Sequence, residues 1–397
     1  MKNIYSTLLI LATLGLASLS CTGQTLDEII NKHIKAHGGL ENWEKIESMK
    51  ITGQFTSFSE TNPYTEIKAR PGYYYSTYHM GQHPVITGGD ASGFWIINPW
   101  FRIAYPRSVT AAEESVNLQK SEFCTPFFNY KERGSTVEYE GKEEVDGIEM
   151  FKLKLTRNNG LVETWFLHPD TYLEYMYFSD WEDFANLTIQ EAFFDDFRQV
   201  GDVVMPFYHE KVFSIRHRVT EIENVELNID IDMSIFLRPL SEKMQKLKFM
   251  EGNWDVSLYA MSRSGEWALT DSTSSEIRFL KNKNLLEENI AYTRFFPVEK
   301  IINWTYNSDM DNYRVSVYND FYSTTDIFQG DFSNDALIVD NTAISFADSL
   351  ASPNPRMVKY TFSKITDDGF YLKTASSRDN GETWRVGQKF NYYRKEN

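Results

Sequence analysis

The side chains able to do chemistry fall into a few short constellations, and the first is a histidine pair. His33 and His37 stand four residues apart in TLDEIINKHIKAHGG. On a helix that spacing sets both imidazoles on one face, where they can hold a metal. No acidic or cysteine ligand completes the set in the HExxH manner, so a helix-face pair near a C-cap is the favoured reading and no metal is assigned. His79 and His83 repeat the spacing in YHMGQHPVITGGD, which reads as a loop, again without a third ligand. Asn307, Asp309 and Asp311 alternate as calcium ligands do, but the glycine and distant glutamate of a calcium loop are missing. A polar hairpin tip is the plainer account.

Paired acids raise glycoside chemistry: Asp195 with Asp196 in FFDDF, and Glu182 with Asp183 beside Trp181. Two carboxylates must face each other across a sugar ring, whereas neighbours in a strand point to opposite faces. These acids therefore read as solvent-facing charge, although acids among aromatics suit glycan binding without cleavage. GxSxG, GxGxxG, P-loop and CxxC motifs are all absent, which removes the commonest routes to hydrolase, dinucleotide and phosphate chemistry. No catalytic residue and no cofactor is assigned, and a non-catalytic protein is expected.

The elements that must carry these residues are bounded by composition. A chain of 397 residues with 42% hydrophobic and 15% aromatic content has room for two domains with real cores, and its aromatic load favours strands. Its 40 basic against 56 acidic residues give a net charge of −16, the wrong sign for nucleic acid or an anionic lipid surface. The opening MKNIYSTLLILATLGLASLSC, with one lysine and an apolar run from Leu8 to Leu19, reads as an export signal over 1–24, too short to span a bilayer. Cys21 follows Ser18-Leu19-Ser20, similar to the lipobox of lipid-modified cysteines except that Ser18 stands where Leu is usual. Lipidation at Cys21 and ordinary cleavage near Gln24 or Thr25 both fit. Either way Cys124 has no disulfide partner.

From Thr25 onward, Leu26, Ile29, Ile30, His33 and His37 recur at helical spacing, with Thr25 or Asp27 placed to cap and Gly38-Gly39 to stop. A short helix, LENWEKIES, leads into alternating strands from MKITGQF onward. Alternation fades between Pro99 and Tyr130, where AAEESVNLQ predicts a helical or irregular crossover. The order of helix, GG break, helix and strands, the hairpin stretch EYEGKEEVDGIEMFKLKLTRNNGLVETWFLHPDTYLEYM and the later turn GDVVMPFYHEKV resemble LolA-like exported domains. That resemblance implies a curved half-barrel over helices for 25–238, with a concave face that takes acyl chains in the lipoprotein carriers. Phe94, Trp95, Trp165, Phe166, Tyr175 and Tyr177 are the candidate lining, and plain core is the commoner role for such aromatics.

A short amphipathic helix in SEKMQKLKFM then precedes GNWDVSLYAM, and eight to ten short strands follow at meander spacing. Gly252 and Trp254 resemble the Gly-x-Trp of lipocalin-like barrels, which implies an antiparallel barrel over 242–397 with Trp254 plugging one end under Arg394. SRDNGETW matches an Asp-box hairpin: Asp379 accepts turn amides from a loop begun by Ser377, Gly381 takes a conformation other residues resist, and Trp384 packs beneath. One copy only is present, which argues against a propeller sialidase.

A mainly β chain of two such modules leads to an expected function: a periplasmic or outer-membrane-tethered binding protein for a lipid-like or other hydrophobic ligand, with an envelope protein as a second class of partner. A glycan-binding or hydrolytic accessory protein and a structural envelope scaffold are the rival readings.

Overall fold

The first helix forms because its start and stop are both written locally. In the computed structural model, which describes residues 24–98, 103–183, 186–213, 216–280, 283–294, 297–343 and 357–395, α1 spans Leu26–Ala36. Thr25 accepts from the Glu28 amide while Glu28 reaches back to the Thr25 amide, a capping box that satisfies two orphan donors. Ile29, Ile30 and His33 form its buried stripe. The helix ends where Gly38 (φ +93) and Gly39 (φ +87) turn the chain into α2, Leu40–Glu44. A Cβ on Gly38 would lie 2.3 Å from the Asp202 carbonyl oxygen, whereas one on Gly39 would meet nothing within 4 Å. Gly38→Ala is therefore expected to lower unfolding free energy by about 1–3 kcal/mol through strain plus a backbone clash. Gly39→Ala should cost less, and urea denaturation of the two variants checks the order. Cys21 and the export segment lie outside the described residues.

Strands follow in three runs. The first is β1 Ser48–Ser57, β2 Glu60–Ala69, β3 Tyr73–Met80, β4 His83–Asp90, β5 Gly93–Asn98 and β6 Ile103–Ser108. Helix α3, Ala111–Ser121, closes it with a second capping box from Thr110 and Glu113. The second run is β7 Thr136–Val145, β8 Ile148–Thr156, β9 Val162–Leu167, β10 Glu174–Asp183, β11 Asn186–Val200, β12 Val203–Phe213 and β13 Arg216–Leu227. Their hydrogen-bonded order is β6-β5-β4-β3-β2-β1-β13-β12-β11-β10-β9-β8-β7, a 13-stranded sheet. The expected crossover around AAEESVNLQ is helical, and β6 is a strand that the fading alternation does not announce.

After α4, Glu242–Gln245, and a short 3₁₀ turn at Lys248–Met250, the third run begins: β14 Gly252–Met261, β15 Trp267–Phe279, β16 Leu286–Tyr292, β17 Val298–Asn307 and β18 Asn312–Asn319. It continues with β19 Thr324–Ser333, β20 Ala336–Asp340, β21 Met357–Ser363, β22 Gly369–Ser377 and β23 Arg385–Arg394. These ten strands form a closed antiparallel barrel in sequence order, sealed by β14 on β23 with Trp254 opposite Arg394. Closure removes exposed sheet edges.

The chain divides into two compact units, one of residues up to Ile46 with Cys124–Glu221, the other of Glu47–Phe123 with Ile222–Asn397. The first has a core of α1 residues Ile29 and Ile30 against Phe127, Phe151, Leu153, Leu155, Trp165 and Leu167. The core of the second runs through the barrel, from Met244, Leu247 and Met250 to Trp254, Trp304, Tyr313, Phe328 and Phe370. Among the described residues no helix is long and apolar enough to cross a membrane.

Candidate ligand cavity and a buried histidine pair

Strand periodicity sorts the barrel residues into two sets, and the inward set is not wholly apolar. Glu288, Ile290 and Tyr292 on β16 and Lys300, Ile302 and Trp304 on β17 alternate into the interior, with Glu288 opposite Ile302 and Ile290 opposite Lys300. Tyr360, Phe362, Leu372, Thr374, Phe390 and Tyr392 complete the wall of a narrow slot with about 20 Å³ of enclosed room. The rest of the barrel is filled by its own aromatics, Trp254, Tyr313, Phe328 and Phe370 being at most 1% exposed.

The polar groups in this apolar slot are arranged with partners. Glu288 Oε1 accepts from Ser275 Oγ at 2.8 Å and from the Tyr392 hydroxyl at 2.9 Å. Burial pushes the Glu288 carboxyl upward, and those two hydrogen bonds and the charge of Lys300 oppose the rise without cancelling it. Burial works against the charge on Lys300 as well, yet Tyr360, Tyr292 and Glu288 overcome it and hold its pKa above the ordinary lysine value. Its ammonium hydrogen-bonds the Tyr292 side chain, and Nζ lies 5.5 Å from that ring's centroid. An ammonium carries three donors, so Lys300 can serve Tyr292 and still donate to a guest. The slot thus sets a cationic donor, Lys300, and the partnered carboxyl of Glu288 among apolar side chains.

The second constellation lies in the other unit and is closed to solvent. His33, His37 and Glu174 are 0%, 2% and 6% exposed. His33 Nδ1 lies 2.7 Å from the Tyr172 carbonyl oxygen and His37 Nδ1 2.9 Å from that of Val204. Carbonyls only accept, so both Nδ1 atoms carry hydrogen, and both Nε2 atoms face inward. His37 Nε2 lies 2.7 Å from Glu174 Oε2, and His33 Nε2 lies 2.9 Å from Thr125 Oγ1 and 3.8 Å from Glu174 Oε1. Burial opposes protonation of His37, but Glu174 outweighs it and raises the pKa. Burial prevails at His33, whose pKa is pushed down to about 4. Although His33 is within ion-pair distance of Glu174, it stays neutral, because one carboxylate holds one proton and the shorter contact goes to His37. Burial would raise Glu174, yet His37 and His33 hold it down at about 2.

A β-bulge brings Glu174 there. Register along β9 and β10 runs from Glu174 opposite Leu167 to Met176 opposite Phe166, with a shift between them. The extra residue, Tyr175, lets Glu174 and Tyr177 share the face under α1 although they are three apart in sequence. The pairing of His33 with His37 is legible from spacing; the third member, 137 residues beyond His37, is not.

The six aromatics assigned to one concave lining do not line one surface. Trp165 and Tyr177 stack at 4.3 Å between centroids within the core under α1, where Phe194 also lies parallel to Trp165. Phe166 and Tyr175 belong to the opposite face, clustered with Met150 and Met176. Phe94 and Trp95 are successive residues, each 5% exposed, and Trp95 Nε1 donates to the Phe236 carbonyl. Alternation on a strand separates residues that adjacency in sequence had grouped.

Around Trp254 the geometry is a capped barrel end. The indole is fully buried, its Nε1 donates to the Met250 carbonyl at 2.8 Å, and the Arg394 guanidinium lies 4.4 Å from the ring centroid. Gly252 (φ +146) leaves room for Arg394, whose Nη1 would be 2.4 Å from a Cβ there. In the Asp-box hairpin, Asp379 accepts from the Thr383 amide and Ser377 Oγ accepts from the Gly381 amide, both at 2.9 Å. Gly381 has φ +86, and Trp384 packs beneath it with Lys359 4.0 Å from its ring centroid.

The remaining motifs resolve as local structure. His79 and His83 sit on β3 and β4, flanking a tight turn rather than in a loop. Asn307 Oδ1 accepts the amides of Asp309 and Met310, and Asp311 pairs with Lys243 at 2.7 Å, which makes this a hairpin tip. Asp196 (φ 52) interrupts the β11–β12 register and binds Arg198, so it does not face Asp195 across a cleft.

Comparison with known proteins yields fold likeness alone. Neither a protein-family model nor a curated protein matches the sequence. Solved structures similar to the chain include a domain of outer-membrane lipoprotein-sorting type from Vibrio parahaemolyticus, at 10% identity and TM-score 0.37 over 53% of this chain and 94% of that one. The LolA superfamily protein NE2245 of Nitrosomonas europaea is similar at 10% identity and TM-score 0.37, over 54% and 98%. A DUF3598 protein of unknown function from Nostoc punctiforme covers 87% of this chain and 95% of its own at 12% identity and TM-score 0.26. LolA-type domains thus align with about half of the chain, which also carries a closed ten-stranded barrel.

Proposed function

We propose that the protein is an exported, non-catalytic binding protein of the cell envelope, and that its barrel takes a small, largely apolar molecule ending in a carboxylate or similar anionic head. It follows the module division read from the sequence, 25–238 and 242–397, with the ligand in the second module. The carrying observation is Lys300, a cation held on the wall of a slot it shares with apolar side chains and with Glu288, Tyr292 lying beside it. The enclosed room is only about 20 Å³, little more than one water occupies, so a guest must displace side chains of the wall to enter. That size favours a single short chain over the multiple acyl chains of a lipoprotein. Packed aromatics in the half-barrel support a scaffolding role for that half, and a slot this narrow disfavours a glycan.

Calorimetric titration with octanoate and with octanol tests the reading. Wild-type protein is expected to bind both, with Lys300→Met weakening octanoate about 10–100-fold, or roughly 1.4–2.8 kcal/mol, while octanol changes little. Failure of the wild type to bind either compound, or an equal loss for both in the variant, overturns it.

A further inference from the structure

We propose that His33, His37 and Glu174 form a buried binding site for one divalent transition-metal ion of the Zn²⁺ class. A metal-ligating histidine characteristically donates its other ring N–H to a carbonyl or carboxylate, which fixes tautomer and ring orientation. Both histidines do so here, to the main-chain carbonyls of Tyr172 at 2.7 Å and Val204 at 2.9 Å. Each ring is thereby left with Nε2 as its ligating atom, and the two rings are 4.8 Å apart between centroids.

Glu174 supplies the third donor. One ligand atom from each of the three residues lies within 4.8 Å of the others. Zn–N and Zn–O bonds of about 2.0–2.2 Å at tetrahedral angles require donors roughly 3.3–3.5 Å apart. His37 Nε2 lies 2.7 Å from Glu174 Oε2 and His33 Nε2 3.8 Å from Oε1, so the carboxyl must turn and the imidazoles shift for one ion to take a donor from each. The donor set of two imidazoles and one carboxylate suits Zn²⁺ and its neighbours rather than Ca²⁺ or Mg²⁺, which take oxygen. Thr125 Oγ1, 2.9 Å from His33 Nε2, marks where a fourth oxygen, its own or a water's, completes the shell. The ion takes the place of the proton between His37 and Glu174, and a hydroxide as fourth ligand would leave the site neutral. Full burial means that the ion enters as the unit folds or opens, as structural sites do.

The test uses the full mature chain, refolded after chelation in the presence of Co²⁺ or Zn²⁺ and freed of excess metal. Wild type is expected to retain one equivalent, to show the visible absorption of four-coordinate Co²⁺, and to melt at higher temperature than the chelated protein. His33→Gln and Glu174→Gln, each checked for folding by circular dichroism, are expected to lose at least 100-fold in affinity. No retained metal in the wild type, or equal retention in both folded variants, overturns the proposal and leaves a proton-held clamp. Should neither variant fold, the wild-type Co²⁺ spectrum decides: a four-coordinate nitrogen and oxygen pattern supports the site, and a six-coordinate one contradicts it.

Discussion

Glu174→Ala is expected to lower the unfolding free energy of metal-free protein by about 3–5 kcal/mol, the loss that follows when one partner of a buried charged pair is removed. The alanine leaves His37 Nε2 buried with no acceptor and removes the charge that favours the imidazolium. It also takes away the anchor between α1 and β10, because both ends of the contact are nearly inaccessible to water. Glu210→Ala is the internal control. Glu210 meets His217 at 2.6 Å, but the His217 side chain is 55% exposed, and such pairs contribute about 0–1 kcal/mol. Urea denaturation of the three proteins checks the contrast, and similar losses for both variants would contradict a buried, charge-paired trio.

Acid should destabilise the metal-free protein in two stages. His33 has its folded pKa depressed from 6.5 to about 4. Between those values the unfolded chain binds a proton that the folded one refuses, so stability falls as pH drops through this window. At about 1.4 kcal/mol per pH unit the loss is roughly 3 kcal/mol. Glu174, depressed from 4.5 to about 2, contributes stability that is fully present above 4.5 and is lost as pH falls towards 2, again roughly 3 kcal/mol. His37 acts in the other sense. Its raised pKa contributes stability that is fully present below 6.5 and fades as pH rises through the folded value. The protons belong to the trio as a unit, so the observable is the whole curve: a maximum near neutrality and a decline on the acid side beginning below pH 6.5. His33→Gln should remove the first stage and spare the second. Unfolding measured at intervals from pH 8 to pH 3 checks the shape, and a flat profile down to pH 4.5 would contradict it.

Much of the architecture was legible because it is written in local signals. Thr25 and Glu28 cap α1, Gly38-Gly39 end it, Gly252 and Trp254 open the barrel, and alternation marks most strands. What escaped is whatever depends on register. The strand β6 is short and carries Pro106, so its pattern is weak. Adjacency in sequence groups Phe94 with Trp95 and Trp165 with Phe166, whereas pleating sets the second pair on opposite faces. Glu174 joins the histidines only through a bulge, which no count of sequence spacing reveals. Lys300 and Glu288 left a usable sign: each sits in step with apolar neighbours, Ile302 and Trp304 in one case and Leu286 and Ile290 in the other. A charge in the inward register of a strand marks either a paired core residue or a binding wall, and the strand pairing that tells them apart is long-range.

Ligand binding in the barrel is the property on which the function depends. The most direct measurement is mass spectrometry of an organic extract of the mature protein, purified folded and without detergent from its native envelope. One equivalent of a short-chain apolar acid or similar amphiphile is predicted, depleted at least tenfold in extracts of Lys300→Met. A wild-type extract free of any such molecule, from protein that also refuses added octanoate, would contradict the claim and point to a barrel that serves only as structure.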